Sequence, residues 1–262
     1  MLFPISDDDR HLDGPAYVTL VLIAINVVLF AVQLSSSDFT YGWSTVPAEI
    51  TTGQDLVNSM PEPGPSATVQ STADLPQRPG PGPAPLIYLT LLTSMFMHGG
   101  WGHIGGNLLY LWIFGDNVEH RFGPARFLLF YLVSGLVASL AQIALDPDSL
   151  IPSLGASGAI SGVMGAYLVL FPKNRVNAVF FVRVVAVPAS VVLGLWIAFQ
   201  FFNGAGSLFA SEQTGGVAYG AHIGGFIAGV VVALALRMSG AEERPNVLTR
   251  VAQRDPRTRQ LW

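Results

Sequence analysis

The stretch Gly155-Ala156-Ser157-Gly158-Ala159-Ile160-Ser161-Gly162 decides how the rest of the chain is read. It sets a serine among small residues, just after a polar loop and at the start of an apolar run that closes at Phe171-Pro172. Two uses of such a serine compete. Small residues let membrane helices pack backbone to backbone, and serine is one of those used. Alternatively, glycines clear space around a nucleophilic hydroxyl, while backbone N–H groups at a helix start face a developing oxyanion. Taken alone, the stretch favours packing. The balance turns on whether the chain supplies a base at the same depth.

Composition makes depth a meaningful quantity. Of 262 residues, 51% are hydrophobic and 11% charged, against about 25% charged in soluble domains. The expected class is an all-α polytopic membrane protein. Cysteine is absent, which excludes disulfides and thiolate metal sites. Asp7, Asp8, Asp9 and Arg10 stand where a cleavable signal would carry a basic region, so none is expected. Nothing resembles a nucleic-acid surface, and the lipid bilayer is the expected surrounding.

Six apolar runs predict six spans: about 17–34, 103–118, 125–145, 157–171, 184–202 and 217–236. Leu86 to Met97 is apolar but too short to cross. Residues 35–85 form a long connection, rich in Pro, Gly, Ser and Thr from Pro61 onward. That composition cannot pack a core, although Tyr41 to Met60 has room for a short interfacial helix. The expected organisation is an N-terminal arm (1–16), a six-helix membrane domain (17–237) and a basic tail (238–262). Of the 13 Lys and Arg residues, only Arg78 falls in the three loops on the far side. The positive-inside rule then puts both termini in the cytosol and the Pro-rich loop outside. This topology suits a prokaryotic plasma (inner) membrane.

Helical rise turns basic anchors into rulers. Ser157 lies 15 residues before Pro172, and His222 lies 15 residues before Arg237. On parallel spans, each side chain sits roughly 22 Å above the cytosolic edge of a core about 30 Å thick. Measured from Arg121, Asn107 comes out at about 21 Å and His103 at about 27 Å. Polar groups at such depth are costly and usually functional. Singly, each has a plainer use: His222 in helix packing, Asn107 as interhelical glue, His98 and His103 at the interface. Their shared depth favours a common site. His222, Gly225 and Gly229 follow i, i+3, i+7, and Ser157, Gly158, Ser161, Gly162 and Gly165 share an arc. Two such smooth faces can approach closely.

The chemistry this permits is nucleophilic. Ser157 needs a base, and His222 can take its proton and return it to a leaving amine. No acidic residue lies at that depth, so a Ser–His dyad is expected rather than a triad. Asn107, His103 and the Ser157 backbone N–H are the candidate oxyanion donors. A metal held by His98, His103 and His222 would lack a carboxylate or thiolate partner, and no His-Glu-x-x-His pattern exists. No metal and no cofactor are expected.

These residues resemble the rhomboid family of intramembrane serine proteases. His98-Gly99-Gly100-Trp101-Gly102-His103-Ile104-Gly105-Gly106-Asn107 is similar to that family's His-x4-His-x3-Asn signature. Gly155-Ala156-Ser157-Gly158 resembles its nucleophile motif, and Ala221-His222-Ile223-Gly224-Gly225 its base motif. Gly115 to Arg121 is similar to its end of span two. The resemblance covers about Leu86 to Leu236. It implies a six-transmembrane-helix bundle with a cavity opening outward. Ser157 would be the nucleophile and His222 the general base; His103, Asn107 and Gly155 would serve oxyanion and substrate stabilisation, with His98 structural. It also implies single-pass membrane protein substrates, cut in or near their transmembrane helices, with span five and the Asn203–Gly216 loop as gate and cap. Two departures stand out. Ser161 occupies the place of an aromatic that stacks on the histidine in some members, and the first outer loop lacks a Trp-Arg pair. The rival class is a rhomboid-like protein that binds membrane clients without cutting them. A small-solute transporter ranks third, for want of an internal repeat. Oligomeric state is not legible.

Overall fold

Apolar runs punctuated by Gly, Pro and charge set the helices. The computed structural model describes residues 2–9, 12, 14–54, 56, 86–209 and 218–239. The Pro-rich part of the long loop, residues 210–217 and the basic tail lie outside the described residues. The elements run β1 (Leu2–Asp7), α1 (Tyr17–Gln33), α2 (Ser37–Gly42), α3 (Pro47–Thr52), α4 (Thr90–Thr93), α5 (Trp101–Phe122), α6 (Pro124–Leu145), α7 (Ser157–Leu170), β2 (Arg175–Phe180), β3 (Arg183–Pro188), α8 (Ala189–Phe209) and α9 (Tyr219–Met238). Two of the helices, α6 and α9, are long and apolar enough to cross a membrane.

The bundle has an apolar core that also buries polar groups, and its outer face is apolar. Asn26, Gln33, Asn107, Asn117, Glu119, Ser134 and Gln200 are buried, whereas Val28, Leu129, Leu140, Leu195, Phe202 and Val231 face outward. Helix α7 is the axis: all of Gly158 to Tyr167 is buried. It packs most intimately on α9, with α5 and α6 on its other sides and α8 along one edge.

Backbone contact makes the α7–α9 pair. A Cβ added at Gly225 would fall 2.0 Å from the Gly158 carbonyl oxygen, and one at Gly229 would fall 1.9 Å from that of Gly162. At Gly165 it would lie 2.2 Å from the Phe226 oxygen. Only hydrogen fits at these crossings. A different device fixes α1, whose N-cap residue Ala16 offers no side-chain cap. The buried Glu119 of α5 accepts from Val18 N at 2.9 Å, Thr19 N at 2.7 Å and Thr19 Oγ1 at 2.8 Å. Its carboxylate thus supplies the cap and meets the positive helix end.

The expectation of an all-helical chain is corrected by a three-stranded antiparallel sheet, ordered β1-β2-β3. The expected fifth span began at Val184, but Arg183–Pro188 is a strand and the helix starts at Ala189. The reason is local. Val176, Val179, Val184, Val185 and Val187 are β-branched, and Val176 and Ala178 alternate inward along β2. Arg175 pairs with Pro188 and Phe180 with Arg183, leaving a two-residue turn with Phe181 at φ 55°. The arm adds β1, from Leu2 opposite Phe180 to Asp7 opposite Val176. The register slips between Pro4 and Ser6, next to a proline with no N–H to donate.

Asp7 pins the arm to the bundle. Its carboxyl accepts from the Tyr167 hydroxyl of α7, and from Asn117 Nδ2 of α5 at 2.9 Å. Carboxylate oxygens of Asp7, Asp9 and Asp116 lie within 4.8 Å of one another. Burial above all, then the hydrogen bond to Asp9 and repulsion from Asp9 and Asp116, push the Asp7 carboxyl up to about 9. From the ordinary value of 3.8 to about 9, the docked arm keeps a proton that a free arm gives up. Docking is therefore strongest below about pH 4 and weakens as the pH rises toward 9. Hydrogen exchange of the β1 amides should show more protection at pH 5 than at pH 8.5. Asp7→Asn is uncharged at every pH and keeps a carbonyl acceptor beside a hydrogen-bond donor, and should flatten that dependence. A steep dependence surviving in Asp7→Asn would place its origin elsewhere.

Candidate active site

The site gathers at the start of α7. Ser157 is its first residue, and Gly155 precedes it with φ at +126°, a conformation that side chains disfavour. The space matters as much as the angle, because a Cβ on Gly155 would lie 2.6 Å from His103 Nε2. Gly155 N donates to Ser94 O at 2.8 Å. Ser94 Oγ in turn accepts from Thr45 Oγ1 at 2.9 Å, and Thr45 forms a bridge with Ser153. The front of the long loop is thereby tied to the residues just before the serine. It holds two short helices, α2 and α3, of which α3 lies within the expected 41–60 stretch.

Ser157, His222, His103 and Gly155, four of the sequence-predicted residues, converge. His222 Nε2 lies 2.8 Å from Ser157 Oγ. His103 packs against Gly155 and accepts the Gly99 N–H on Nδ1 at 3.3 Å. That bond leaves the His103 hydrogen on Nε2, the nitrogen beside Gly155. Asn107 follows one turn later on α5; it is 7% exposed, and its Nδ2 has no hydrogen-bond partner among the described residues. His98 stands behind, with its ring edge-on to His103 at 5.2 Å. Its backbone is clamped by Gln33, whose Nε2 donates to His98 O at 3.0 Å and whose Oε1 accepts from His98 N at 3.1 Å.

Two participants were missed in the sequence, both on α8. Trp196 faces the His222 ring at 5.8 Å with planes 40° apart, and Gln200 Oε1 lies 2.8 Å from His222 Nδ1. They sit one turn apart within an unbroken apolar run, where only the polarity of Gln200 could have drawn notice. Ser161 takes no part in the ring contact. It is fully buried, and its hydroxyl donates to Ser157 O at 2.6 Å within its own helix. The aromatic beside the histidine thus comes from α8 instead of α7.

A hydroxyl hydrogen-bonded to an imidazole is a pairing that can activate a serine as a nucleophile. A model of the Rhomboid domain matches residues 87–239, and the chain belongs to the rhomboid family of membrane proteins. It is 36% identical over 151 residues to rhomboid protease GluP of Bacillus subtilis (strain 168), covering 58% of this chain and 26% of that protein. Rhomboid protein 1, mitochondrial, of Saccharomyces cerevisiae is 33% identical over 150 residues, with 55% and 40% covered. RHOMBOID-like protein 12, mitochondrial, of Arabidopsis thaliana is 32% identical over 152 residues, with 52% and 43% covered. The chain thus spans less than half the length of these curated relatives.

Proposed function

We propose that the protein is an intramembrane serine endopeptidase that hydrolyses peptide bonds in or near transmembrane helices of single-pass membrane proteins. The 2.8 Å contact between His222 Nε2 and Ser157 Oγ carries the reading. In the proposed mechanism Ser157 Oγ attacks the scissile carbonyl as its proton passes to His222 Nε2. The oxyanion accepts from His103 Nε2–H, Asn107 Nδ2 and the Ser157 N–H, with Gly155 leaving room for the substrate. His222 then protonates the departing amine. A water attacks the acyl ester by the reverse route and frees Ser157.

The proposed topology has six spans, α1, α5, α6, α7, α8 and α9, with both ends inside. Its support is geometric. Strand β1 precedes α1 and β2 follows α7, yet they share one sheet. The chain between them must cross the bilayer an even number of times, and α1, α5, α6 and α7 make four crossings. The same end carries Arg121, Arg126, Lys173, Arg175 and Arg183, which favours the inner side. Helix α7 has 14 residues, about 21 Å of rise, so its serine end stops within the hydrocarbon thickness. The names of two relatives place them in mitochondria. The location proposed is therefore a membrane with its basic face inward, of which the prokaryotic plasma membrane is one instance.

The test is cleavage of a transmembrane reporter by the purified protein in liposomes, beside labelling with a fluorophosphonate. Cleavage with labelling supports the proposal. A folded protein that does neither leaves the client-binding alternative. Asn107→Ala should lower kcat by roughly 100–1000-fold, as loss of one oxyanion donor does, with KM little changed. An unchanged kcat would remove Asn107 from the oxyanion site.

A further inference from the structure

We propose that Gln200 is a positioning residue for His222, holding the imidazole as the Nδ1–H tautomer so that Nε2 is free to take the Ser157 proton. This rests on the protease reading and adds a residue and a helix to it. A neutral imidazole carries one N–H and one lone pair, and its partners decide which nitrogen bears which. The Ser157 hydroxyl donates or accepts equally well, so it does not choose. Gln200 Oε1, 2.8 Å from Nδ1, only accepts. It selects Nδ1–H and leaves the lone pair on Nε2, 2.8 Å from Ser157 Oγ. The opposite tautomer would direct an N–H at the serine and could not act as a base.

Burial explains why an amide holds this place. Gln200 is 6% exposed, and a carboxylate there would carry the cost of an ion at membrane depth. The amide accepts the same hydrogen bond without charge. Helix geometry explains the rest. Trp196 and Gln200 are four residues apart on α8 and share a face, so one helix supplies both the contact with the ring plane and the acceptor for Nδ1. Ring position and tautomer are fixed together, from a helix that carries neither catalytic residue. This also accounts for Ser161: with Trp196 beside the ring, α7 need not provide an aromatic.

The experiment compares Gln200→Met and Gln200→Glu with wild type, using the full chain, the transmembrane reporter and the fluorophosphonate. Methionine keeps the length and loses the acceptor. Glutamic acid keeps an acceptor oxygen whether ionised or protonated. Gln200→Met should lower kcat roughly 10–100-fold, a fraction of what general-base catalysis supplies, while KM stays within about twofold and labelling slows in parallel. Gln200→Glu should stay within about threefold of wild type. A folded Gln200→Met with wild-type kcat would overturn the proposal, as would a folded Gln200→Glu as slow as Gln200→Met. Should Gln200→Met not fold, a folded Gln200→Glu slowed by more than about tenfold relative to wild type would overturn the proposal. Imidazole 15N spectra separate this failure from failure of the protease reading. A wild type that cleaves nothing refutes the latter, while an Nε2–H signal from His222 refutes the former whether or not the protein cleaves.

Discussion

Replacing Ser157 with alanine is expected to abolish reporter cleavage and fluorophosphonate labelling without unfolding the protein. The hydroxyl is the only part of the side chain removed, and the α7 backbone contacts do not depend on it. The neighbouring serine cannot stand in. Ser161, one turn on, is buried and spends its hydrogen on Ser157 O. His222→Ala should be nearly as severe, because an unassisted hydroxyl is a poor nucleophile at neutral pH. Losses of about 10⁴–10⁶-fold in kcat are the scale for groups that act as one unit. For the same reason the double variant should be little worse than either single one. Steady-state cleavage, with thermal unfolding in detergent as the control for folding, makes the comparison. Cleavage by Ser157→Ala at more than about a hundredth of the wild-type rate would mean a different nucleophile.

The second large effect concerns structure. Gly229→Ala should separate α7 from α9, since the new Cβ would lie 1.9 Å from a backbone carbonyl oxygen that no rotamer change can move. Overpacking commonly costs about 1–3 kcal/mol; here both partners are helix backbone, and more than about 3 kcal/mol is expected. Gly225→Ala, at 2.0 Å from the Gly158 oxygen, should behave alike, and both should lose labelling because His222 rides on the displaced helix. Gly194→Ala on α8 is the matched control. Nothing lies within 4 Å of its added Cβ, so it should be neutral or slightly stabilising through helix propensity. Equal melting temperatures for Gly229→Ala and Gly194→Ala would contradict the packing described.

What the sequence made legible follows from what periodicity and spacing encode. Apolar runs located the six long helices to within a few residues, except at α8, where the run containing Val184 to Pro188 hid a strand and the helix continues to Phe209, past the expected loop start at Asn203. Hydrophobicity alone does not distinguish a β-branched strand from a helix start. The glycine faces of α7 and α9 were readable because i, i+3, i+7 spacing places residues on one side. Ser157, His222, His103 and Asn107 emerged from depth and from motif together. Trp196 and Gln200 did not, since an apolar run tells nothing of which face turns inward. Nor did the Glu119 cap of α1 or the meeting of Asp7, Asp9 and Asp116. Those join residues some 100 or more positions apart, and no local pattern carries such a pairing.

The sheet also orders assembly in time. Strand β1 precedes α1, but its partner follows α7, and the Asn177–Ser6 hydrogen bond closes a loop of 171 residues. A chain inserted in sequence must therefore place the long helices α1, α5, α6 and α7 before β1 has anything to pair with. Contacts so distant form late, since the entropy of closing the loop must be met before any hydrogen bond rewards it. Docking of the arm becomes a completion signal. An arm still open to protease would mark molecules whose long helices α1, α5, α6 and α7 have not come together.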